Sequence, residues 1–402
     1  MKDAIKTKIS KLHPKRLVTL TETFLRDESI SGKIILVAAL LSLIVVNSPF
    51  YGFYDSFWHQ SFTIGNLSLD LRHWVNEALM AFFFLVVGLE IKRELVKGEL
   101  RKFKTAILPI GAAVGGMIVP ALVYFYFNMN TAGSNGWGIP IATDIAFAVA
   151  VLALIGARAP LALKIFLLTL AIVDDIGAIT IIALFYAEVI HYGYLAFSLS
   201  LMAALFLLRH KLGDKLALMI VASIVLWVTT HLSGVHASIV GAIVGLIAPI
   251  HALPNKVSLS ERVEKAVLPF STFIVLPIFA FANAGFVISA QAFTSNPSVF
   301  WGVLLGLVVG KVVGITLAAW LLLKFRIAEL PHGVTMRHVA GVGFLAGIGF
   351  TVSIFITELA FTDSQQMVEA AKAGVFVGSF ASATLGSLLL VGRFRRTRYS
   401  NQ

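Results

Sequence analysis

The 402-residue chain contains no cysteine, which excludes disulfides, thiolate metal sites and cysteine nucleophiles. Charge is scarce as well. Only 13% of residues are charged, against roughly 25% in ordinary soluble domains. Acidic residues are the scarcer sign, 21 against 32 Lys and Arg, for a net charge of +11. No pair of histidines shares a membrane-depth face with acidic residues, which argues against zinc. Apolar residues, by contrast, make up 58% of the chain, and the mean hydropathy is +0.89. Soluble packing cannot use this much apolar sequence. These proportions predict an all-α integral membrane protein with several spans of about 20 residues each. The first 29 residues are polar and basic. No small-residue cleavage site follows a short apolar core there, so they read as an uncleaved tail.

Twelve transmembrane helices are expected, near 31–49, 73–91, 106–128, 138–156, 161–186, 194–208, 212–231, 235–250, 266–288, 299–323, 338–358 and 368–392. The layout is a tail over 1–30, a single twelve-span domain over 31–392 and a basic tail over 393–402. Positive charge tests the map. With both termini cytoplasmic, 29 of the 32 Lys and Arg fall in or at the edges of inward segments. Outward segments carry only Arg72, and Lys311 and Lys372 lie within spans. The positive-inside rule accounts for that asymmetry. The net charge therefore implies membrane orientation and no nucleic-acid partner.

One outward loop, "FWHQSFTIGNLSLDL" (57–71), alternates apolar and polar residues around Gly65-Asn66, the pattern of a short external β-hairpin. Spans 3–5 and 10–12 are seven positions apart, an odd offset that places them oppositely across the membrane as inverted-topology repeats. Within them, span 4 carries Pro140 before polar Thr143-Asp144. Span 11 carries Gly341, Gly343, Gly347 and Gly349. Both spans can be interrupted mid-membrane, and such paired breaks point to a transport site.

Ionisable groups inside spans are costly and by default functional. Asp144, Asp174, Asp175 and Lys311 stand out. Asp174 falls at the midpoint of 161–186 and Lys311 at that of 299–323, while Asp144 and the span 11 glycines lie near their own span centres. Three acids and one base thus share the bilayer midplane. A structural ion pair would explain Lys311 and one aspartate, leaving two carboxylates over. Adjacent helix positions point about 100° apart, so one of Asp174 and Asp175 faces a cavity and the other a neighbouring helix. A free aspartate, with pKa about 3.9, holds no proton at neutral pH, but burial and like charge favour the protonated form of a carboxyl. Carboxylate oxygens also suit small hard cations, with the Thr143 hydroxyl or exposed carbonyls as added ligands. A site that takes a cation or protons, but not both, is the minimum device for exchange. An acid-lined cation channel and a proton-coupled organic-solute symporter are the rival readings, although no midplane arginine is available to hold an organic anion. A DDxxD prenyltransferase motif would need Asp at position 178, which is Ala178. The Gly-x-Gly-Asp context of an intramembrane aspartyl protease is also missing.

The segments "GLEIKREL" (88–95), "IPIATDIAFA" (139–148), "LAIVDDIGAI" (170–179), "FAFANAG" (279–285), "GKVVGI" (310–315) and "GIGFTVSIFI" (347–356) together resemble the NhaA family of sodium/proton antiporters. The likeness runs from span 1 to span 12. Inverted repeats are an established property of that family, so the paired breaks and the resemblance are not independent. The resemblance implies that Asp175 is the principal cation- and proton-binding carboxylate, with Asp174 beside it in the Na⁺ site. Lys311 pairs with Asp174. Asp144 compensates the dipoles of the facing half-helices, and Thr143 adds a hydroxyl. It further implies export of Na⁺ or Li⁺ against a larger number of incoming protons, hence electrogenic transport, with no cofactor. The expected setting is the lipid bilayer of the bacterial inner membrane, as a homodimer joined partly through the hairpin. Activation by alkaline pH would involve Glu90, Glu94, Glu264 and Arg262, with His236, at the start of span 8, as a further candidate. In "SERVEKAV" the chain departs from the family pattern, with Glu261 where a basic residue is usual and Lys265 where a histidine is usual.

Overall fold

The computed structural model describes residues 14–64, 67–101, 103–155, 160–187, 189–212, 215–249 and 258–399. The Gly65-Asn66 turn, residues 1–13 of the first tail and 400–402 of the last lie outside them. The architecture is a multi-pass helical membrane fold. In chain order it runs α1 (Pro14–Val46), α2 (Tyr51–Trp58), β1 (Ser61–Ile64), β2 (Leu67–Asp70), α3 (Leu71–Lys97) and α4 (Phe103–Asn128). A 3-10 helix (Ala132–Ile141) follows, then α5 (Ile145–Ile155), α6 (Leu161–Phe185), α7 (Tyr192–Leu212), α8 (Leu216–Leu232) and α9 (Ile239–Ile247). The chain ends with α10 (Leu259–Asn283), α11 (Ala290–Thr294), α12 (Pro297–Lys324), α13 (Met336–Ala346), α14 (Phe350–Ala360) and α15 (Gln365–Tyr399). Among the described residues, seven helices are long and apolar enough to cross a membrane, and three further pairs pass the same test if each bent pair counts once. Large apolar side chains such as Leu154, Leu207 and Phe380 stay more than 70% exposed, as expected where lipid rather than water is the solvent.

The expected span limits shift at several places. The first apolar run, 31–49, is only the end of α1, because a helix continues wherever backbone bonding continues, whatever the polarity of its side chains. The chain then turns by 116° into α2. β1 and β2 pair antiparallel, Phe62 opposite Leu69 and Thr63 opposite Ser68.

Glycine sets how closely the helices cross. A Cβ on Gly88, Gly241 or Gly245 would come within 1.8–2.7 Å of backbone atoms of the facing helix, so α3 and α9 meet backbone to backbone. Small residues serve the same purpose in membrane bundles generally. The same holds between α4 and α12, where a Cβ on Gly115 would meet the Gly314 carbonyl at 2.4 Å. Among the described residues three helices also carry a π-helical turn, at Val75–Leu79, Ser271–Val275 and Gly306–Gly310. Such turns are rare and concentrate at functional sites. Here the third immediately precedes Lys311.

Candidate functional site

Two bent helix pairs meet at their breaks. The 3-10 helix and α5 are bent by 43° around 142–144, and α13 and α14 by 48° around Gly347–Gly349. At the first break Ala142 is extended (φ −72°, ψ 147°), following Pro140, which cannot donate to a regular ladder. The freed backbone groups are satisfied across the crossing. Asp144 N donates to Ile348 O at 2.6 Å, and Ser353 Oγ donates to Ile139 O at 2.7 Å. Tyr124 and Tyr186 hold the 3-10 helix from the other side, donating to the carbonyls of Gly133 and Asn135.

Asp144 lies at two helix N-termini at once. Its Oδ1 accepts from Phe147 N in the first turn of α5 at 3.2 Å. Its Oδ2 accepts from Thr351 N at 3.0 Å and Thr351 Oγ1 at 2.5 Å, at the start of α14. A carboxylate there opposes the positive ends of both half-helices. Thr351 did not figure among the residues expected from sequence. Its signal was a hydroxyl directly after the Gly347–Gly349 break, mirroring Thr143 after Pro140.

Asp174 and Asp175 sit mid-way along α6, both buried. Asp174 Oδ2 accepts from Lys311 Nζ at 2.6 Å, and neither side chain reaches solvent. Thr143 Oγ1 is 2.7 Å from both Asp174 Oδ2 and Ala346 O. Having one proton, that hydroxyl donates to one of them at a time. Asp175, a further 100° around the helix, faces away from this pair. With Glu90, Thr143, Asp144 and Thr351 it lines a cavity of about 50 Å³, and it forms no ion pair among the described residues. No cluster of three or more His, Asp or Glu side chains suited to a metal ion occurs among the described residues.

The sensor candidates divide between the two ends of α3. Glu90 lines the cavity. Glu264 is buried and paired with Arg93, Lys97 pairs with Glu261 at 2.6 Å, and Glu94 Oε1 accepts from Glu99 N. Arg262 is exposed on the same turn of α10. His236 is elsewhere, near the hairpin end of α3, with Nδ1 2.8 Å from Glu77 Oε1. Glu77 was not singled out from sequence, nor was the pair of buried Lys372 with half-buried Glu358, 2.6 Å apart. A search of every span for acids, rather than of span centres, would have found both.

The family model described as Na+/H+ antiporter 1 matches residues 22–390. The chain belongs to that family. Members of it are secondary transporters rather than enzymes. Its similar relatives include a Na(+)/H(+) antiporter NhaA 2 of Clostridium beijerinckii, 43% identical over 97% of this chain and 96% of the relative. A Na(+)/H(+) antiporter NhaA of Shewanella pealeana is 45% identical over 90% of this family member and 94% of its own length. Among solved structures, the sodium proton antiporter MjNhaP1 from Methanocaldococcus jannaschii superposes with a TM-score of 0.52 at 14% identity, covering 93% of this chain and 97% of its own. At that identity the likeness concerns the fold alone.

Proposed function

We propose that this chain is an electrogenic Na⁺(Li⁺)/H⁺ antiporter working by alternating access around Asp175 and Asp174. The observation that carries the reading is the unequal environment of the doublet. Asp174 is tied to Lys311 and Thr143, whereas Asp175 opens onto the cavity without a cationic partner among the described residues. A lone carboxylate in a low-dielectric site needs a counter-charge, and either a proton or a small cation supplies it. Binding of one therefore displaces the other. On the cytoplasmic side Asp175, with Asp174, releases protons as Na⁺ arrives. The bundle then rocks, external protons reclaim the acids and Na⁺ leaves. Lys311 neutralises Asp174 when the cation is absent, and Asp144 with Thr143 steadies the half-helix ends on either side.

The same reading takes the seven long helices, the three bent pairs, α8 and α9 as twelve crossings. It takes spans 3–5 and 10–12 as inverted repeats, both termini as cytoplasmic and the bacterial inner membrane as the location. The hairpin joins two copies into a homodimer, and pH regulation acts through Glu90, Glu94, Glu264 and Arg262 on the basic face, with His236 on the other. The deciding experiment is Na⁺-induced proton movement in everted vesicles. Asp175→Asn is expected to abolish it, and exchange at the wild-type rate would overturn the reading. An imposed pH gradient drives cation movement through an exchanger, while a channel follows only the cation's own gradient.

A further inference from the structure

The cavity has a second polar wall that no role above uses. Besides the aspartates it is lined by Ser31 on α1 and by Ser271 and Thr272 on α10. Ser31 is completely buried, and its Oγ has no hydrogen-bond partner among the described residues. Helical hydroxyls elsewhere in this chain avoid that cost by bonding back to the carbonyl four residues earlier, as Thr180, Ser200 and Thr384 do. Of the buried unpartnered side chains, Ser31 alone lines this cavity.

Its placement is enforced from both sides. Gly32 lets α1 lie directly on α5, since a Cβ there would meet Ala150 Cβ at 2.9 Å and Ala146 O at 3.3 Å. Ser271 and Thr272 open the π-helical turn of α10. The two are neighbours in sequence yet both line the cavity. A buried hydroxyl without a partner costs about 1–3 kcal/mol, so a group that spends part of the cycle bound to it is the natural compensation. The cavity volume, about 50 Å³, exceeds the ~10–15 Å³ that a single water needs. A sodium ion losing its hydration shell takes oxygen ligands of this kind.

We propose that Ser31 Oγ, with the Ser271 and Thr272 hydroxyls, is an oxygen ligand set for the entering cation between Glu90 and Asp175, and that it sets cation affinity. This rests on the antiport reading and adds a positioning role for residues outside the carboxylates. The test uses full-length protein in proteoliposomes, with exchange followed over a Na⁺ and a Li⁺ concentration series. Ser31→Ala is expected to raise the half-saturating Na⁺ concentration roughly tenfold, the loss of one interaction with a charged group, while the maximal rate holds and the melting temperature does not fall. Ser31→Thr restores the hydroxyl and the affinity, and Ser271→Ala with Thr272→Val weakens affinity further. An unchanged half-saturation in Ser31→Ala overturns the proposal. So does a lowered maximal rate and melting temperature at constant half-saturation, which would mark a packing role. If the wild type itself exchanges nothing, the antiport reading fails. Radiolabelled sodium binding to wild type and Ser31→Ala then still decides the ligand claim, equal binding overturning it.

Discussion

Lys311 Nζ stands 2.6 Å from Asp174 Oδ2, joining residues 137 positions apart in a pair with no solvent exposure. Removing one partner of a buried ion pair leaves an uncompensated charge and typically costs about 3–5 kcal/mol. Lys311→Ala is therefore expected to lower the melting temperature in detergent clearly. Asp174→Asn combined with Lys311→Met removes both charges and should recover most of that loss. A double variant no more stable than Lys311→Ala alone would mean that the pair's stabilisation is not chiefly electrostatic.

The Thr351 hydroxyl is the short partner of Asp144, while the Thr351 amide bonds the same oxygen. Thr351→Val keeps the shape and the amide but loses the hydroxyl's bond to the carboxylate, worth about 1.5–3 kcal/mol. Reduced exchange, by roughly tenfold or more, is expected in everted vesicles, with Thr351→Ser close to wild type. Wild-type exchange in Thr351→Val with loss in Thr351→Ser would show that the methyl group, not the hydroxyl, matters.

What was legible in the sequence follows from which physical signals are local. The helical membrane architecture could be read because twenty apolar residues in a row admit few other structures. That Asp174 and Lys311 share a level could be read because a helix converts residue number into height, and their side chains do meet. Partners across helices could not. Nothing in the local pattern of "GFTVSIF" shows that Thr351 reaches Asp144, since that contact depends on how two breaks cross. Helix limits were equally hidden, because α1 continues well before its apolar run. His236 was grouped with Glu90 and Glu264 as a sensor candidate, yet its neighbour is Glu77. Sequence order carries no information about which helix a turn residue faces.

Gly241 faces the α3 backbone so closely that a Cβ would lie 1.8 Å from Ala81 O. Gly241→Ala must push α9 away from α3 and is expected to cut stability by several kcal/mol, as overpacking against rigid backbone does at its upper range. Gly52→Ala is the control, since nothing lies within 4 Å of its added methyl and alanine favours the helix by about 1 kcal/mol. Thermal unfolding followed by fluorescence distinguishes them. Similar melting temperatures for the two variants would contradict the close crossing.

Glu77 caps a helix that it does not belong to. Its Oε2 accepts from Ala237 N at 2.6 Å and Ser238 N at 3.2 Å, and its Oε1 meets His236 Nδ1. These amides lie immediately before α9, a nine-residue helix whose own N-cap residue, Ser238, makes no side-chain capping bond. A carboxylate at this end both satisfies orphan N–H groups and opposes the helix dipole. Glu77→Ala removes all of this from a buried position, at an expected cost of about 3 kcal/mol. Glu77→Gln keeps one carbonyl acceptor for Ala237 N and gives up the charge, so an intermediate loss is expected. The readout is amide hydrogen exchange over residues 239–247, which should accelerate most in Glu77→Ala and less in Glu77→Gln. Protection unchanged in Glu77→Ala would show that packing against α3, through Gly241 and Gly245, holds α9 without the cap.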